Sequence, residues 1–471
     1  MARDHRAHRG RDSRRPGGPR RTGRPEDLVR RTAFDVIRAV ETRDAYANLL
    51  LPARLRDRHL TGRDAALATE LTYGTLRGRG TYDAVLALCS DRELRRIDAP
   101  LLDVLRLGTH QILATRIPPH AAVGTAVDLA RSVTGPGGSK FANAVLRKVA
   151  ARPLDAWLEI VAPADADLTT RLSIAHSHPK WIVSALRDAL GPDASEIAEL
   201  LAADNARPRV TLVARPGRAT VAELTDAGAA PAPYSPYGAV LPEGDPATLA
   251  AVREGRAAVQ DEASQLVAAA LAAVPLDGPD ARWLDVCAGP GGKAGLLAAL
   301  AAPRNAHLLA ADLQPHRAAL VRRTVDTRTA VIAADGTAPA WRPASFDRIL
   351  LDAPCTGLGA LRRRPEARWR RGPSAVAELG TTQRALLRAA LDAVRPGGVV
   401  AYVTCSPHVA ETRVVVDDIL RERDDTERLN APAVLTDLAP SLTRVAVGED
   451  AQFWPHRHGT DAMFLSLLTR S

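Results

Sequence analysis

Residues 282–302 read RWLDVCAGPGGKAGLLAALAA, and this stretch decides the fold of the C-terminal half of the chain. Residues 283–286 form a short apolar run of the length of a buried strand. The glycine-rich segment 287–293 follows, and an alanine- and leucine-rich run with helical composition continues to Ala302. A strand, a glycine-rich turn and a helix in this order predict the first βα unit of a doubly wound sheet.

The glycine-rich turn predicts a ligand site. Gly289, Gly291 and Gly292 lack a Cβ atom, so a ligand can lie against the backbone, where amide groups at the helix start also point. The turn departs from the dinucleotide fingerprint G-x-G-x-x-G, because it contains Pro290 and ends in Lys293. Taken alone, it is also compatible with an ordinary tight turn.

Three later strand-like runs each end in an aspartate. The runs span 307–311, 330–334 and 346–351, and the aspartates are Asp312, Asp335 and Asp352. Because parallel strands share one carboxyl edge, we expect the three carboxylates to line one crevice. Asp312 lies about 20 residues beyond the turn, where a ribose diol is bound in such folds. Each aspartate could instead cap a turn.

The composition is that of a folded chain without a membrane span. At 471 residues, 46% of them hydrophobic and 25% charged, the chain is long enough for two or three domains. No apolar run approaches a membrane span, and the N-terminus has no apolar signal region. The cysteines are widely spaced without a C-x-x-C pair, which argues against structural zinc and disulfides. We expect a cytoplasmic protein without metal, and a monomer as the default.

The net charge of +9 is concentrated in residues 1–25, where nine arginines and two aspartates account for +7. Glycine and proline are interleaved there, with almost nothing apolar, so we predict a disordered arginine-rich tail. Such an arm binds RNA phosphates without reading sequence. A solvated extension without a function is the alternative.

The N-terminal half is predicted to be helical. Over residues 26–152 apolar residues recur at helical spacing, as they do from Val29 to Val40. Gly-Pro-Gly-Gly at 135–138 should break the chain before a last helix over 140–149. Within that helix, KFANAVLR at 140–147 resembles the NusB fold, an RNA-binding all-α domain. Cys89 is interpreted as core filling.

Two further regions complete the predicted organisation. Residues 164–256 are predicted to form a small α+β connecting domain that contains a strand at 210–214. Residues 257–471 are predicted to form an α/β Rossmann-like domain with a mostly parallel sheet. The His-x-His pairs at 176–178 and 456–458 are interpreted as surface or capping residues, because no other ligand types lie near them.

Two cysteines follow predicted strands on the crevice side. Cys355 follows Asp352, and Cys405 follows a strand at 399–404 that a turn at 396–398 precedes. Reactive groups of α/β folds lie in such loops. Because a thiol with a pKa of about 8.5 is only about 3% ionised near neutral pH, a nucleophilic cysteine needs a cationic setting, which Lys293 could supply.

Three motifs together resemble the RNA cytosine-5 methyltransferases that use S-adenosylmethionine. They are D-V-C-A-G-P-G-G-K at 285–293, D-A-P-C-T-G at 352–357 and T-C-S at 404–406, and residues 454–464 fit the closing strand of this family. The resemblance covers about 259–471. With a NusB-like region in front, the architecture is similar to that of the members that modify bacterial 16S rRNA.

The resemblance implies methyl transfer from S-adenosylmethionine to C5 of a cytosine in 16S rRNA. It assigns addition at C6 to Cys405, assistance in product release to Cys355, and hydrogen bonding of the base to Asp352, whereas spacing alone does not rank the cysteines. Arg317 could contact the cofactor carboxylate or lie on the surface. The cofactor-binding residues it implies are Cys287, Ala288, Gly289, Pro290, Gly291, Gly292, Lys293, Asp312, Arg317, Asp335 and Asp352.

An arginine-rich segment follows the Cys355 loop. Since arginines beside an aromatic ring suit splayed RNA, we predict RNA contact here, with a solvated surface as the alternative. The residues are Arg362, Arg363, Arg364, Arg368, Trp369, Arg370 and Arg371.

Two other functions remain open at this point. One is a non-catalytic RNA-binding or antitermination-type factor with a methyltransferase fold, which intact Asp352, Cys355 and Cys405 disfavour. The other is a nicotinamide-dependent oxidoreductase, which the missing G-x-G-x-x-G disfavours.

Overall fold

The computed structural model describes residues 27–43 and 45–471. The predicted tail over residues 1–25 lies outside the described residues.

The N-terminal region is a helical bundle around one apolar core, which includes Val36, Leu71, Leu105 and Leu146. Cys89 lies in this core with 1% of its surface exposed. The helices are α1 Leu28–Arg43, α2 Ala47–Asp57, α3 Gly62–Cys89, α4 Ala99–Ala114 and α5 Pro119–Val149.

Helix α5 contains the predicted break, but in a different form. Gly135 has a non-helical backbone with φ 81°, and the helix continues directly after it through Pro136. The last helix therefore begins at the break rather than at Lys140, because proline is tolerated in a first helical turn.

Four short helices follow: the first packs into the N-terminal core through Trp157, and the other three pack against the C-terminal part of the chain. They are α6 Leu154–Val161, α7 Leu168–Ala175, α8 Lys180–Leu190 and α9 Ile197–Asn205. Leu358 and Leu361, from the segment after Cys355, lie in the same apolar cluster as Leu186 and Leu200. This cluster joins the middle of the chain to the predicted active-site loop.

A small antiparallel sheet comes next, with strand order β2-β3-β1-β4. Its strands are β1 Val210–Ala214, β2 Ala230–Pro231, β3 Gly238–Leu241 and β4 Ala257–Val259, with helices α10 Val221–Asp226 and α11 Ala250–Arg253 between them. The strand β4 pairs with β1, so this sheet reaches Val259.

The large C-terminal sheet has the order β11-β12-β13-β9-β8-β5-β6-β7, with β10 paired to β13. Strands β5 to β9 pair in parallel, and β13 runs antiparallel to β9. The helices that accompany this sheet are α12 Glu262–Ala273, α13 Gly292–Ala301, α14 Pro315–Arg322, α15 Ala367–Arg370, α16 Ser374–Ala393, α17 Arg413–Glu422, α18 Ala431–Leu438 and α19 Pro455–His458. The strands are β5 Arg282–Asp285, β6 His307–Asp312, β7 Ala330–Ala333, β8 Phe346–Asp352, β9 Val394–Thr404, β10 Thr426–Leu429, β11 Ala446–Val447, β12 Asp450–Gln452 and β13 Phe464–Arg470.

The strand order reverses between β5 and β8, since β6 and β7 lie on one side of β5 and β8 and β9 lie on the other. Ligands of doubly wound folds bind at this switch point, outside the carboxyl ends of the strands. The glycine-rich turn after β5 lies there. The prediction of an N-terminal all-α region and a C-terminal Rossmann-like domain is confirmed.

The strand β9 begins earlier than predicted. The register of β9 with β8 shifts between the pairs Phe346–Val394 and Arg348–Val399. The Pro-Gly-Gly segment at 396–398 therefore forms an irregularity inside the strand rather than a turn before it. Gly397 in this segment has φ 71°, a conformation that glycine adopts without strain.

Candidate active site

Three carboxylates stand at the carboxyl ends of adjacent strands at the switch point: Asp285 on β5, Asp312 on β6 and Asp352 on β8. Asp285 is 1% exposed, and within residues 27–43 and 45–471 neither of its carboxyl oxygens accepts a hydrogen bond of ordinary geometry, although the amide of Cys287 lies close enough to lower its pKa slightly. Burial, followed by the charge of Asp352, raises the pKa of Asp285 to about 8. Asp285 was not among the predicted site residues, although it ends a strand in the same pattern.

The glycine-rich turn closes one side of this space. The amide of Gly289 donates to Oδ2 of Asp312 at 3.0 Å, and a Cβ atom at Gly289 would lie 2.5 Å from that oxygen. Gly291 has φ 112°. Arg317 donates to the carbonyl oxygen of Gly289, and its Nε lies 3.6 Å from Asp312. Gly289, Asp312 and Arg317 thus form one wall, which side chains larger than hydrogen at position 289 would disrupt.

Two further predicted cofactor residues, Asp335 and Cys287, are placed differently. Asp335 is exposed just beyond β7, and its carboxylate accepts hydrogen bonds from the amide and hydroxyl of Thr337 at 2.8 and 2.7 Å, which lower its pKa. It therefore caps a turn at the sheet edge. Cys287 is largely buried, and burial and the neighbouring Asp285 raise the pKa of its thiol.

The two predicted reactive cysteines are brought together. Sγ of Cys355 lies 3.3 Å from Sγ of Cys405, and Nζ of Lys293 lies 2.7 Å from Oδ2 of Asp352. Burial alone would lower the pKa of Lys293, but the charge of Asp352 raises it above its usual range. The ammonium group of Lys293 therefore stays charged beside the thiols.

The environment separates the pKa values of the two thiols. A hydrogen bond from Cys355 lowers the pKa of Cys405, and the charges of Lys293 and Arg364 act in the same direction. The pKa of Cys355 is raised well above its usual range, since its proton is held by Cys405 and since it is buried. The nearby cations Lys293 and Arg364 thus favour the thiolate at Cys405, an asymmetry that spacing alone did not indicate.

Glu411 joins the two cysteine loops and was missed by the sequence analysis. Its buried carboxylate accepts hydrogen bonds from the amide of Thr356 at 2.8 Å, from the hydroxyl of Ser406 at 2.6 Å and from the hydroxyl of Thr356. Gln383 donates to Glu411 as well, at 3.3 Å, and to the carbonyl oxygen of Pro354 at 2.8 Å. Thr356 and Ser406 each follow a cysteine, so Glu411 fixes the position of one loop relative to the other.

A close backbone contact holds the same loops on the opposite side. The amide of Gly359 donates to the carbonyl oxygen of Cys405, and the amide of Ala462 donates to the carbonyl oxygen of Gly359, both at 2.9 Å. A Cβ atom at Gly359 would overlap the carbonyl oxygen of Ala462. Glycine at 359 is therefore required for this approach.

The prediction that the arginine-rich segment is an RNA-binding surface is wrong for most of its members. Arg368 is fully buried and donates to Asn205 and to backbone carbonyl oxygens of the N-terminal and middle regions. The ring of Trp369 and most of the other guanidinium groups contact residues from distant parts of the chain rather than solvent. Arg362 and Arg363 pair with Asp261 and Asp461, Trp369 packs against Gly80, and Arg370 donates to Val40 and Ala45. Of the six arginines, only Arg364 and Arg371 are exposed.

The His-x-His pairs are not surface residues throughout. His178 is fully buried, with Nδ1 2.7 Å from the carbonyl oxygen of His176, and His458 accepts a hydrogen bond from the amide of Trp454 at 2.8 Å. His456 lies 2.8 Å from Glu196. In the part of the chain that the structure describes, no cluster of histidine, cysteine and carboxylate side chains is arranged to hold a metal ion. Nor does any described helix have the length and apolarity to cross a membrane.

A doubly wound sheet with a glycine-rich turn and aligned carboxylates at its switch point defines the class of α/β enzymes that bind a nucleotide cofactor. Residues 273–469 match the family model described as 16S rRNA methyltransferase RsmB/F, and residues 28–151 match that of the NusB family. The chain belongs to the RsmB/F family of 16S rRNA methyltransferases. It is an RNA methyltransferase that depends on S-adenosylmethionine, so the predicted family and cofactor are confirmed.

Individual relatives agree with this assignment. A Mycobacterium tuberculosis H37Rv protein, named only as a methyltransferase, is 50% identical over 459 residues, covering 97% of this chain and 99% of its own. The ribosomal RNA small subunit methyltransferase B of Pseudomonas putida is 35% identical over 414 residues, covering 85% of this chain and 91% of its own. The crystal structure of PH0851 has the same fold, with a TM-score of 0.78 at 22% identity over 96% of this chain and all of its own.

The residues at the switch point fit the cofactor. S-adenosylmethionine carries a sulfonium cation, an ammonium group and ribose hydroxyls, all of which suit carboxyl oxygens. The carboxyl group of Asp285 is buried without a hydrogen bond of ordinary geometry to any described residue, as expected of a group that a ligand satisfies. The absence of a Cβ atom at Gly289 lets the side chains of Asp312 and Arg317 approach the turn, which places a carboxylate and a guanidinium group at the same site.

Proposed function

We propose that the chain methylates C5 of a cytosine in 16S rRNA, with Cys405 as the nucleophile. The observation that carries the proposal is the 3.3 Å contact between the sulfurs of Cys405 and Cys355, with the pKa of the first lowered and that of the second raised. Lys293 lies beside the same pair. A thiol that ionises readily, next to one that keeps its proton, suits a reaction that forms and then breaks a carbon–sulfur bond.

C5 of cytosine is a poor nucleophile, so the ring must be activated. The Cys405 thiolate forms a bond to C6, and the electron pair of the C5–C6 double bond becomes available at C5. S-adenosylmethionine would supply the electrophilic methyl group that C5 takes, with cleavage of the sulfonium S–CH3 bond and S-adenosylhomocysteine as the leaving group. Loss of the C5 proton to a base then restores the double bond and expels the Cys405 thiolate, a step that Cys355 assists from its position beside that sulfur.

Asp352 is proposed to bind the base near N3 and to stabilise the charge that develops there. Its contact with Lys293 at 2.7 Å holds the carboxylate in place at the end of β8. The segment Cys287–Lys293 is proposed to hold the methionine part of the cofactor, with Arg317 at its carboxylate. Asp312 and Asp335 are proposed for the ribose and the adenine edge.

The test is methylation of 16S rRNA by purified wild-type protein and single-cysteine variants, with the product mapped by bisulfite sequencing. Cys405→Ala should abolish methylation, and Cys355→Ala should accumulate an RNA–protein adduct that survives denaturation. Cys89→Ala, in the helical core, is the matched control and should keep its activity. Full activity of Cys405→Ala would overturn the mechanism, and RNA binding without methylation by the wild type would favour a non-catalytic factor.

A further inference from the structure

The helical N-terminal region reaches the segment that follows Cys355. The amide of Ala47 lies 3.4 Å from Oε1 of Glu366, and Arg370 donates to the carbonyl oxygen of Ala45. These contacts bracket Tyr46, which precedes α2. The position of Tyr46 is therefore fixed relative to the catalytic region rather than to its own bundle alone.

Tyr46 has a partly exposed ring that two arginines contact. It is 43% exposed, and the guanidinium carbons of Arg364 and Arg370 lie 5.2 and 5.1 Å from the ring centroid. Arg370 is tied to backbone carbonyl oxygens, whereas Arg364 is exposed. The exposed guanidinium group of Arg364 thus lies over the ring of a partly exposed tyrosine.

This pair lies close to the nucleophile. The amide of Arg364 donates to the carbonyl oxygen of Ala360 at 3.0 Å, and the neighbouring Gly359 donates to the carbonyl oxygen of Cys405 at 2.9 Å. Arg364 is therefore about one helical turn from a residue that contacts the Cys405 backbone. Its positive charge also acts on the Cys405 thiol.

We infer that Tyr46 and Arg364 bind the nucleotide adjacent to the target cytosine: the guanidinium group of Arg364 moves from the ring to the phosphate, and the base takes its place on the ring of Tyr46. The inference rests on the proposed function for the location of the target base. Every base has a face that stacks on an aromatic side chain, and arginine pairs with phosphate oxygens, so single-stranded RNA meets both groups.

The same geometry favours RNA as the occupant over a protein partner. The target cytosine must reach Cys405, so the strand that carries it passes the residues around the Cys405 loop. A neighbouring nucleotide is thus brought to the Tyr46–Arg364 pair by the substrate itself. The N-terminal region then contributes directly to substrate binding at the catalytic site.

The experiment uses the full chain and short single-stranded RNAs with one cytosine and 2-aminopurine on its 5′ or its 3′ side. Binding to the wild type should quench the fluorescence of one of the two probes. Tyr46→Phe should retain the quenching, whereas Tyr46→Ala and Tyr46→Leu should lose it and raise the Kd roughly 10-fold, on the scale of stacking on one aromatic ring. Thermal unfolding identifies variants that are folded.

Arg364→Ala tests the phosphate contact. It should weaken binding and lower the slope of log affinity against log salt by about one, whereas Arg253→Ala, at an exposed arginine of α11, should leave the slope unchanged. In methylation assays, Tyr46→Ala should raise KM for RNA with little change in kcat.

The outcomes separate this inference from the proposed function. Quenching that depends on Tyr46, in a protein that does not methylate C5, supports the binding position and overturns the proposed chemistry. The inference is overturned if the wild type methylates C5 while Tyr46→Ala and Tyr46→Leu show the same quenching, Kd and KM as the wild type.

Discussion

The sulfur atoms of Cys355 and Cys405 lie 3.3 Å apart, although the two residues are 50 positions apart in the chain. Parallel pairing of β8 and β9 brings them together, because Asp352 pairs with Val403 and each cysteine follows within three residues. The thiols therefore share one environment, in which the hydrogen bond between them and the nearby cations Lys293 and Arg364 lower the pKa of Cys405.

Lys293→Met should raise the pKa of Cys405, since removal of a nearby cation destabilises the thiolate. The pH midpoint of Cys405 alkylation by iodoacetamide, followed by mass spectrometry, should move up by about one unit, a shift that corresponds to about 1.4 kcal/mol. Lys180→Met, in α8, is the control and should leave the midpoint in place. A midpoint that does not change in Lys293→Met would show that Lys293 does not control Cys405.

Glu411→Gln should slow methylation without unfolding the protein. The amide of glutamine offers one acceptor oxygen where the carboxylate offers two, so the hydrogen bonds from Thr356 and Ser406 cannot all be kept. We expect kcat to fall roughly 10- to 100-fold, on the scale of one hydrogen bond to a charged group. The KM for S-adenosylmethionine should change little.

Glu378→Gln, an exposed glutamate on α16, is the matched control for Glu411. A second readout is the alkylation midpoint of Cys405, which should shift in Glu411→Gln if the cysteine loops move apart. Wild-type kcat together with an unchanged midpoint would mean that Glu411 does not position the cysteines.

Strand ends were predictable because their signal is local. Apolar runs that end in aspartate gave β6 and β8 to within one residue, and parallel pairing then implied that Asp312 and Asp352 share an edge. The same pattern was present at Asp285 and was overlooked. The two cysteines were predicted near one crevice for the same reason, as loops after parallel strands.

Contacts between distant segments were not predictable from local pattern. Glu411 receives hydrogen bonds from Thr356, 55 positions away, and no local feature distinguishes it from a surface glutamate. Arg368 belongs to a run of arginines that indicates a solvated or RNA-binding surface. The residues that surround Arg368, such as Asn205, come from another region of the chain. Its burial is therefore visible only in the three-dimensional structure.

Gly359→Ala should damage the cysteine loops through backbone crowding. The added Cβ would overlap the carbonyl oxygen of Ala462 and approach that of Cys405 to 2.9 Å, so the backbone must shift. We expect a loss of about 1–3 kcal/mol in the free energy of unfolding, with reduced methylation. Gly372→Ala is the control, because nothing lies within 4 Å of a Cβ atom there. Equal unfolding transitions and activities of the two variants would contradict the expectation.

Asp285 should make the stability of the protein decrease as the pH rises. Its pKa is raised from 3.8 to about 8 in the folded chain, so the folded state binds a proton that the unfolded state has released between these values. The stabilisation is therefore complete below pH 4 and is lost as the pH rises through about 8. Asp285→Asn is neutral at every pH, so its thermal midpoint relative to the wild type should increase from pH 5 to pH 9.

The control for this comparison is Asp165→Asn, at an exposed aspartate, which should give a curve parallel to that of the wild type. Both variants are measured without cofactor by differential scanning fluorimetry over the same pH series. If the Asp285→Asn curve also runs parallel to the wild type, the carboxyl group is ionised in the folded protein at neutral pH. It would then need a partner that satisfies its charge in the free enzyme.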